Sequence, residues 1–218
     1  MTVFFMEEKT ITKLAVQKNN TRRVNVFLDE KFAFGVSRMA GRRLQIGQKL
    51  SQPEIDQLLS EDEDEVVREK ALDLLKLRPL TEKELRKKLL AKGFESERIE
   101  RVIDQFKESE RIDDQKFSAL WVENRRALHP RSQRMIAYEL RQKGIAEEII
   151  LDSLQNVEDD QTAFDLAFRY SKRLANLDWQ TFRKRLGGYL ARKGYDFETI
   201  DLVTRRIWSE TIESEKDR

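Results

Sequence analysis

Ile136-Ala137-Tyr138-Glu139-Leu140-Arg141-Gln142-Lys143-Gly144-Ile145 reads as the end of an amphipathic helix. Ile136 and Leu140 lie four apart and share one face. Gly144 follows the last periodic residue, where a left-handed backbone commonly closes a helix, and Ile145 can fold back onto the last turn. The same stop recurs at Lys92-Gly93-Phe94 and Lys193-Gly194-Tyr195, with the three glycines 51 and 50 residues apart. Eight residues before each glycine lies Leu85, Ile136 or Leu186; four before lies Leu89, Leu140 or Leu190; six after lies Ile99, Ile150 or Ile200. One helical unit is used three times, and repeated helical units more often present a surface to a partner than a pocket for chemistry.

Working outward, each unit reads as three helices. In unit one, residues 61–110, a helix runs from about Asp64 to Leu77 with Val67, Ala71, Leu74 and Leu75 inward, and Pro79 stops it. The acidic run Glu61-Asp62-Glu63-Asp64-Glu65 is expected to open that helix, where negative charge suits the dipole. Thr81-Glu82-Lys83-Glu84 is a capping box, and a third helix from about Glu97 to Glu108 carries Ile99, Val102, Ile103 and Phe106. Unit two, residues 111–157, opens at the N-cap pair Asp113-Asp114 and presents Phe117, Leu120 and Trp121, then Ile136 and Leu140, then Ile149, Ile150 and Leu154. Unit three, residues 158–218, opens at Asp159-Asp160, with Phe164, Ala167, Phe168 and Ser171 at helical spacing. Asp178 caps the next helix through Phe182, Leu186 and Leu190, and Ile200, Val203, Ile207 and Trp208 follow. Helices this short bury little alone, so stacked units are expected to share apolar faces.

Residues 1–60 follow a period of two. Val24, Val26 and Leu28 alternate with Arg23, Asn25 and Phe27, and Phe32, Phe34 and Val36 with Ala33 and Gly35, around Asp29-Glu30-Lys31. With Ile11 to Val16 they predict a three-stranded antiparallel meander, which needs a helix to pack on. Ser51-Gln52-Pro53-Glu54 is a capping box for a short helix through Ile55, Leu58 and Leu59. The fold class is thus mainly α: a small β-meander followed by three tandem three-helix repeats.

Composition narrows the function. The chain has 218 residues, 39% hydrophobic and 38% charged, with 3 Pro, 8 Gly and no Cys. That suits thin helical layers and rules out disulfides and Cys-based zinc sites. No apolar run approaches the roughly 20 residues of a membrane span, and Val3-Phe4-Phe5-Met6 is too short for a signal h-region, so a soluble intracellular protein is expected. The net charge is +2, divided by segment into +4 (1–60), −3 (61–110), +1 (111–157) and 0 (158–218), so any basic patch must come from folding.

Arg111-Ile112-Asp113-Asp114-Gln115-Lys116-Phe117 through Arg125-Arg126 resembles a signature of the RecX family, regulators of the RecA recombinase. Ile136 through Ile145 is similar to that family's I-x-x-E-L-x-x-K-G-I, and Leu80-Thr81-Glu82-Lys83-Glu84-Leu85 to its first helix start. The resemblance covers roughly Val66 to Trp208 and is densest in unit two; Glu110 and Ser132 stand where the family often has Gly. It implies an elongated crescent of three repeats, a monomer, lying in the groove of a RecA filament on single-stranded DNA. There it would inhibit ATP hydrolysis, strand exchange and filament growth. It also implies a cytoplasmic protein of recombination and DNA repair that is not an enzyme and has no cofactor or metal.

The residues carry no catalytic constellation. The one histidine, His129, sits beside Pro130 at a helix end, where the dipole alone favours it, and Asp113-Asp114 stands where an N-cap is needed before any Mg²⁺ role. Gly187-Gly188 lies in a helical pattern without the strand and Lys-Ser/Thr of a phosphate loop, and reads as close helix packing or a kink. Trp121, Trp179 and Trp208 read as core. The candidate binding residues are basic: Arg125, Arg126, Arg131 and Arg134 across one turn of unit two, and Lys172, Arg173, Arg183, Lys184, Arg185, Arg192 and Lys193 in unit three. Arg38, Arg42, Arg43 and Lys49 add to them in the N-terminal region. These stripes suit either phosphates or the acidic surface of a protein–DNA filament, against the plain reading of solvated helix faces. A helix-turn-helix protein with weak direct binding to single- or double-stranded DNA, and a helical scaffold for another partner, stay open beside the RecA reading.

Overall fold

The computed structural model describes residues 8–213; the reading of Val3-Phe4-Phe5-Met6 lies outside them. The described chain forms two compact units, one through Pro79 with Leu85–Arg111, the other Leu80–Glu84 with Ile112 onward.

The first unit opens with strands β1 (Lys9–Val16), β2 (Arg23–Leu28) and β3 (Lys31–Ser37), a turn of helix α1 (Arg38–Gly41) and strand β4 (Lys49–Leu50). The meander gains a fourth strand, in the antiparallel order β3-β2-β1-β4. Val24 opposes Val36 and Val26 opposes Phe34, so the period of two puts Val24, Val26, Leu28 and Val36 into one core with Ile11, Leu44, Leu50 and Ile55. Phe32 instead lies exposed, edge-on to Phe27. Asp29 and Glu30 make the β2–β3 turn at φ +47° and +68°, the left-handed backbone that a tight hairpin demands.

Helix α2 (Gln52–Leu77) runs unbroken for 26 residues. Glu54 accepts from both the backbone N–H and hydroxyl of Ser51, completing the cap. The acidic run therefore starts no helix; it lies in mid-α2, and its charges are satisfied sideways. Asp62, 3% exposed, accepts from Arg23 Nη2 at 2.7 Å and from the backbone N–H of Ser37, fastening the sheet to α2. Asp64 pairs with Arg98 at 2.9 Å and Arg101 at 3.0 Å on α4 (Ser96–Glu108), and Glu63 also pairs with Arg98. Burial alone would raise the Asp64 carboxyl, but the two guanidinium groups outweigh it and hold it below the ordinary value.

The remaining helices are α3 (Glu82–Leu90), α5 (Asp114–Ala127), α6 (Gln133–Lys143), α7 (Glu147–Leu154), α8 (Asp159–Ser171), α9 (Trp179–Arg192) and α10 (Phe197–Ile207). All three stop glycines are left-handed, at φ +86°, +85° and +98° for Gly93, Gly144 and Gly194. Ile145 donates back to the Leu140 carbonyl and Tyr195 to the Leu190 carbonyl, and both are buried. Phe117, Ile136, Leu140, Ile150 and Leu154 form the second repeat's core; Ala163, Leu166, Phe182, Leu186, Leu190 and Val203 form the third's. Two expected core residues face outward. On α5 the inward face passes through Ser118 and Val122, leaving Leu120 exposed, and on α8 it passes through Ala163 and Leu166, leaving Phe168 on the rim beneath Lys172. Among the described residues no helix is long and apolar enough to cross a membrane.

Candidate functional site

The repeats meet through helix ends, and this sets which basic residues are committed. The start of α3 packs within the second unit. There Thr81 Oγ1 donates to the Lys143 carbonyl at 2.7 Å, at the C-terminus of α6, and the N–H of Glu82 donates to Asp114 at 3.1 Å. One repeat later the N–H of Ser132 donates to the Lys193 carbonyl at 3.1 Å, and the N–H of Gln133 to Asp159 at 2.8 Å. Each joint thus satisfies a carbonyl at one helix end and a donor at another. It also needs the stop glycine bare. A Cβ on Gly144 would collide with the Lys83 side chain, and one on Gly194 would lie 2.6 Å from Met135 Cβ and Ser132 Oγ, whereas one on Gly93 would meet nothing within 4 Å.

The arginines of unit two mostly serve this frame. Arg125 is half-buried, bonds Glu139 at 2.5 Å and lies over the Trp121 ring at 4.1 Å. Arg131 donates to the Arg192 carbonyl at 3.2 Å and lies 3.8 Å from Glu139; Arg134 donates to the Gly194 carbonyl at 3.1 Å. Their partners are thus supplied through the fold: Glu139 for Arg125 and Arg131, and backbone carbonyls for Arg131 and Arg134. Of these four, only Arg126 is exposed with neither an ion pair nor a side-chain hydrogen bond to a described residue; it lies in a groove shared with Glu123, Glu158, Asp165 and Arg169. In the first joint Lys143 pairs with Glu84 at 3.0 Å and sits 4.3 Å from the Trp121 ring. In the second, Met135 stands at Glu84's place in the repeat, and Lys193 has a tyrosine ring, Tyr189, at 5.6 Å. Burial, with help from Arg131's charge, holds the Lys193 ammonium below its ordinary pKa.

The basic residues of unit three divide differently. Arg183 pairs with Asp201 at 3.0 Å, and Lys172 lies over Phe168 at 5.0 Å. Lys184, Arg185, Arg192 and Arg173 are exposed and make no ion pair with any described residue. Lys184, Arg185 and Arg192 line an open groove of about 740 Å³ along α9 with Tyr170, Gln180, Thr181 and Gly188, and no carboxylate lines it. Tyr170 stacks on Tyr189 at 4.2 Å beside it. In the N-terminal region Arg43 approaches Glu61 and Lys49 approaches Glu8, while Arg38 and Arg42 are exposed. His129 is exposed; Asp113 caps α5 through the N–H of Lys116.

Sequence reading missed the joints. Their signal was present in the stop-glycine frame: Thr81 and Ser132, like Glu82 and Gln133, hold matching places before Gly93 and Gly144. What it could not show is that each set binds the repeat that follows.

The chain matches four family descriptions in succession: the regulatory protein RecX N-terminal domain over residues 9–51, and the RecX first, second and third three-helix domains over residues 68–106, 113–154 and 158–203. It is 34% identical over 204 residues to the regulatory protein RecX of Clostridium tetani, covering 90% of this chain and 94% of that one. It is 33% identical over 204 residues to that of Clostridium perfringens, covering 90% and 95%. A solved structure titled as a crystal structure of regulatory protein RecX superposes with a TM-score of 0.73 at 26% identity, over 90% of this chain and 99% of that one.

Proposed function

From the premise that this chain belongs to the RecX family of regulatory proteins, we propose that it regulates the RecA recombinase by binding the groove of the RecA filament on single-stranded DNA. Bound there, it inhibits ATP hydrolysis, strand exchange and filament growth in recombination and DNA repair in the cytoplasm, acting as a monomer and without chemistry of its own. The observation that carries the reading is the division of the basic residues. Arg125, Arg131 and Arg134 are consumed inside the fold, while Lys184, Arg185 and Arg192 stand together on α9 with no internal partner among the described residues. An unpaired cationic row attracts a polyanionic surface, and its contribution falls with salt. Arg126, Lys172 and Arg173 are exposed as well, whereas Arg183 is taken by Asp201 and Lys193 lies against Tyr189. A stand-alone DNA-binding role is supported by the same groove, whose Tyr170 offers a ring beside the cations.

One experiment separates the two. RecA ATPase on single-stranded DNA is titrated with the protein, and free single- and double-stranded DNA are titrated in parallel at physiological salt. The expected result is inhibition of the ATPase at concentrations that leave free DNA mostly unbound. Tight free-DNA binding with an unchanged ATPase would overturn the RecA reading in favour of the other.

A further inference from the structure

Gly187 and Gly188 stand in the middle of α9, where glycine is the least favourable residue after proline. The helix runs continuously through them, so they do not serve to end it. Packing does not require them either. A Cβ on Gly187 would touch only Ile200 Cγ2 at 3.4 Å, an ordinary contact, and one on Gly188 only the flexible end of Arg192 at 3.5 Å. The other repeats fill the same two places before their stop glycines with Ala137-Tyr138 and Arg86-Lys87. The third repeat alone leaves them bare, at a cost in helix stability that its own fold does not recover.

The missing side chains open a groove of about 620 Å³ between α9 and α10, lined by Trp179, Gly187, Gly188, Phe197, Ile200 and Thr204 among others. Two features mark it as unfilled by the protein itself. Phe197 is 76% exposed, and Thr204, 1% exposed, has an Oγ1 with no hydrogen-bond partner. A buried hydroxyl left unsatisfied costs stability, so this face is not packed to the free protein's advantage. At the rim, Arg183 is taken by Asp201, but Lys184 is unpaired among the described residues.

We propose that this groove takes one apolar side chain of a protein segment that also carries a carboxylate. The side chain lies over the two glycines against Phe197 and Ile200, and the carboxylate meets Lys184. The inference rests on the reading of RecA as partner, and names the kind of contact that anchors it: a short apolar plug beside the cationic row, as in helix-in-groove or peptide recognition. The glycines are kept bare for the plug, so filling them stabilises the free protein and weakens the complex.

The test measures binding of the full chain to RecA filaments on single-stranded DNA, with free single-stranded DNA as the parallel arm. Gly187→Ala with Gly188→Ala is expected to raise Tm and weaken filament binding at least threefold. Gly188→Leu is expected to weaken it at least tenfold, and Phe197→Ser, which touches no core, to weaken it without changing Tm. Wild-type affinity in Gly188→Leu and Phe197→Ser would overturn the groove while leaving RecA as partner. An equal loss on free DNA would overturn it by making nucleic acid the occupant. Failure of the wild-type protein to bind the filament would overturn both readings.

Discussion

Arg131 of the second repeat and Lys184 of the third look alike in the sequence, each within a basic cluster of its repeat, yet the fold uses them in opposite ways. Arg131 reaches across a joint to a backbone carbonyl at 3.2 Å, while Lys184 lines a groove with no ionic partner among the described residues. The same contrast runs through their neighbours: Arg125 and Arg134 hold structure, Arg185 and Arg192 are unspent. Counting basic residues therefore locates clusters but not function. What decides is whether a carboxylate or a carbonyl has already claimed each charge.

The comparison can be broken first at the joints. Gly194→Ala forces a left-handed residue and a clash with Met135 and Ser132 together, so it should cost about 3 kcal/mol of unfolding free energy. Gly93→Ala, with the same backbone but open space, should cost only about 1 kcal/mol. Urea unfolding of the two variants checks the difference, and equal losses would mean that the joint does not use its glycine. Next comes the structural arginine. Arg125→Ala removes the closest charge partner of Glu139, which keeps Trp121 Nε1–H, and uncovers Trp121; it should cost about 2 kcal/mol, against less than about 0.5 for Lys184→Ala. It follows that reversing Arg125, Arg126, Arg131 and Arg134 together would disrupt the fold, and cannot by itself report on binding.

A gain of function sharpens the same contrast. Met135→Glu would copy the Lys143–Glu84 pair of the first joint into the second and should stabilise it by up to about 1 kcal/mol. It should also return the Lys193 ammonium towards its ordinary pKa, which amine NMR titration reads. The smallest expected effect is on pH. Burial, only partly offset by the N–H of Gln133, raises the Asp159 carboxyl. A raised carboxyl penalises the folded state above that pKa, and the penalty lifts as pH falls through it towards about 4. Asp64, held low, acts the other way, and its contribution is lost on acidification. Asp159→Asn, which keeps the acceptor, should therefore raise stability slightly at neutral pH and not at acid pH.

Much of the frame was legible. The three Lys-Gly stops gave the repeat, and all three glycines are left-handed. Period and caps gave the strands and most helices. Taken locally the acidic run reads as a helix start, because its partners Arg23, Arg98 and Arg101 lie far along the chain. The same limit hid the joints and left the arginines of unit two looking unpaired, since Glu139 and the carbonyls of Arg192 and Gly194 reach them only through the fold. Periodicity also misplaced Leu120 and Phe168, where the buried stripe drifts onto Ser118 and Ala163. The glycine pair in α9 reads from the sequence as close packing or a kink, whereas a Cβ on either glycine would make only ordinary contacts.

The central claim is that the unspent cations of α9 engage a RecA filament. The direct measurement is RecA ATPase on single-stranded DNA, titrated with the protein and with Lys184→Glu/Arg185→Glu/Arg192→Glu at several salt concentrations. Because these side chains have no internal ionic partner among the described residues, the variant should keep the wild-type Tm. It should lose at least tenfold in inhibitory potency, with a shallower salt dependence than the wild type. A natively folded variant that inhibits as well as the wild type would contradict the account.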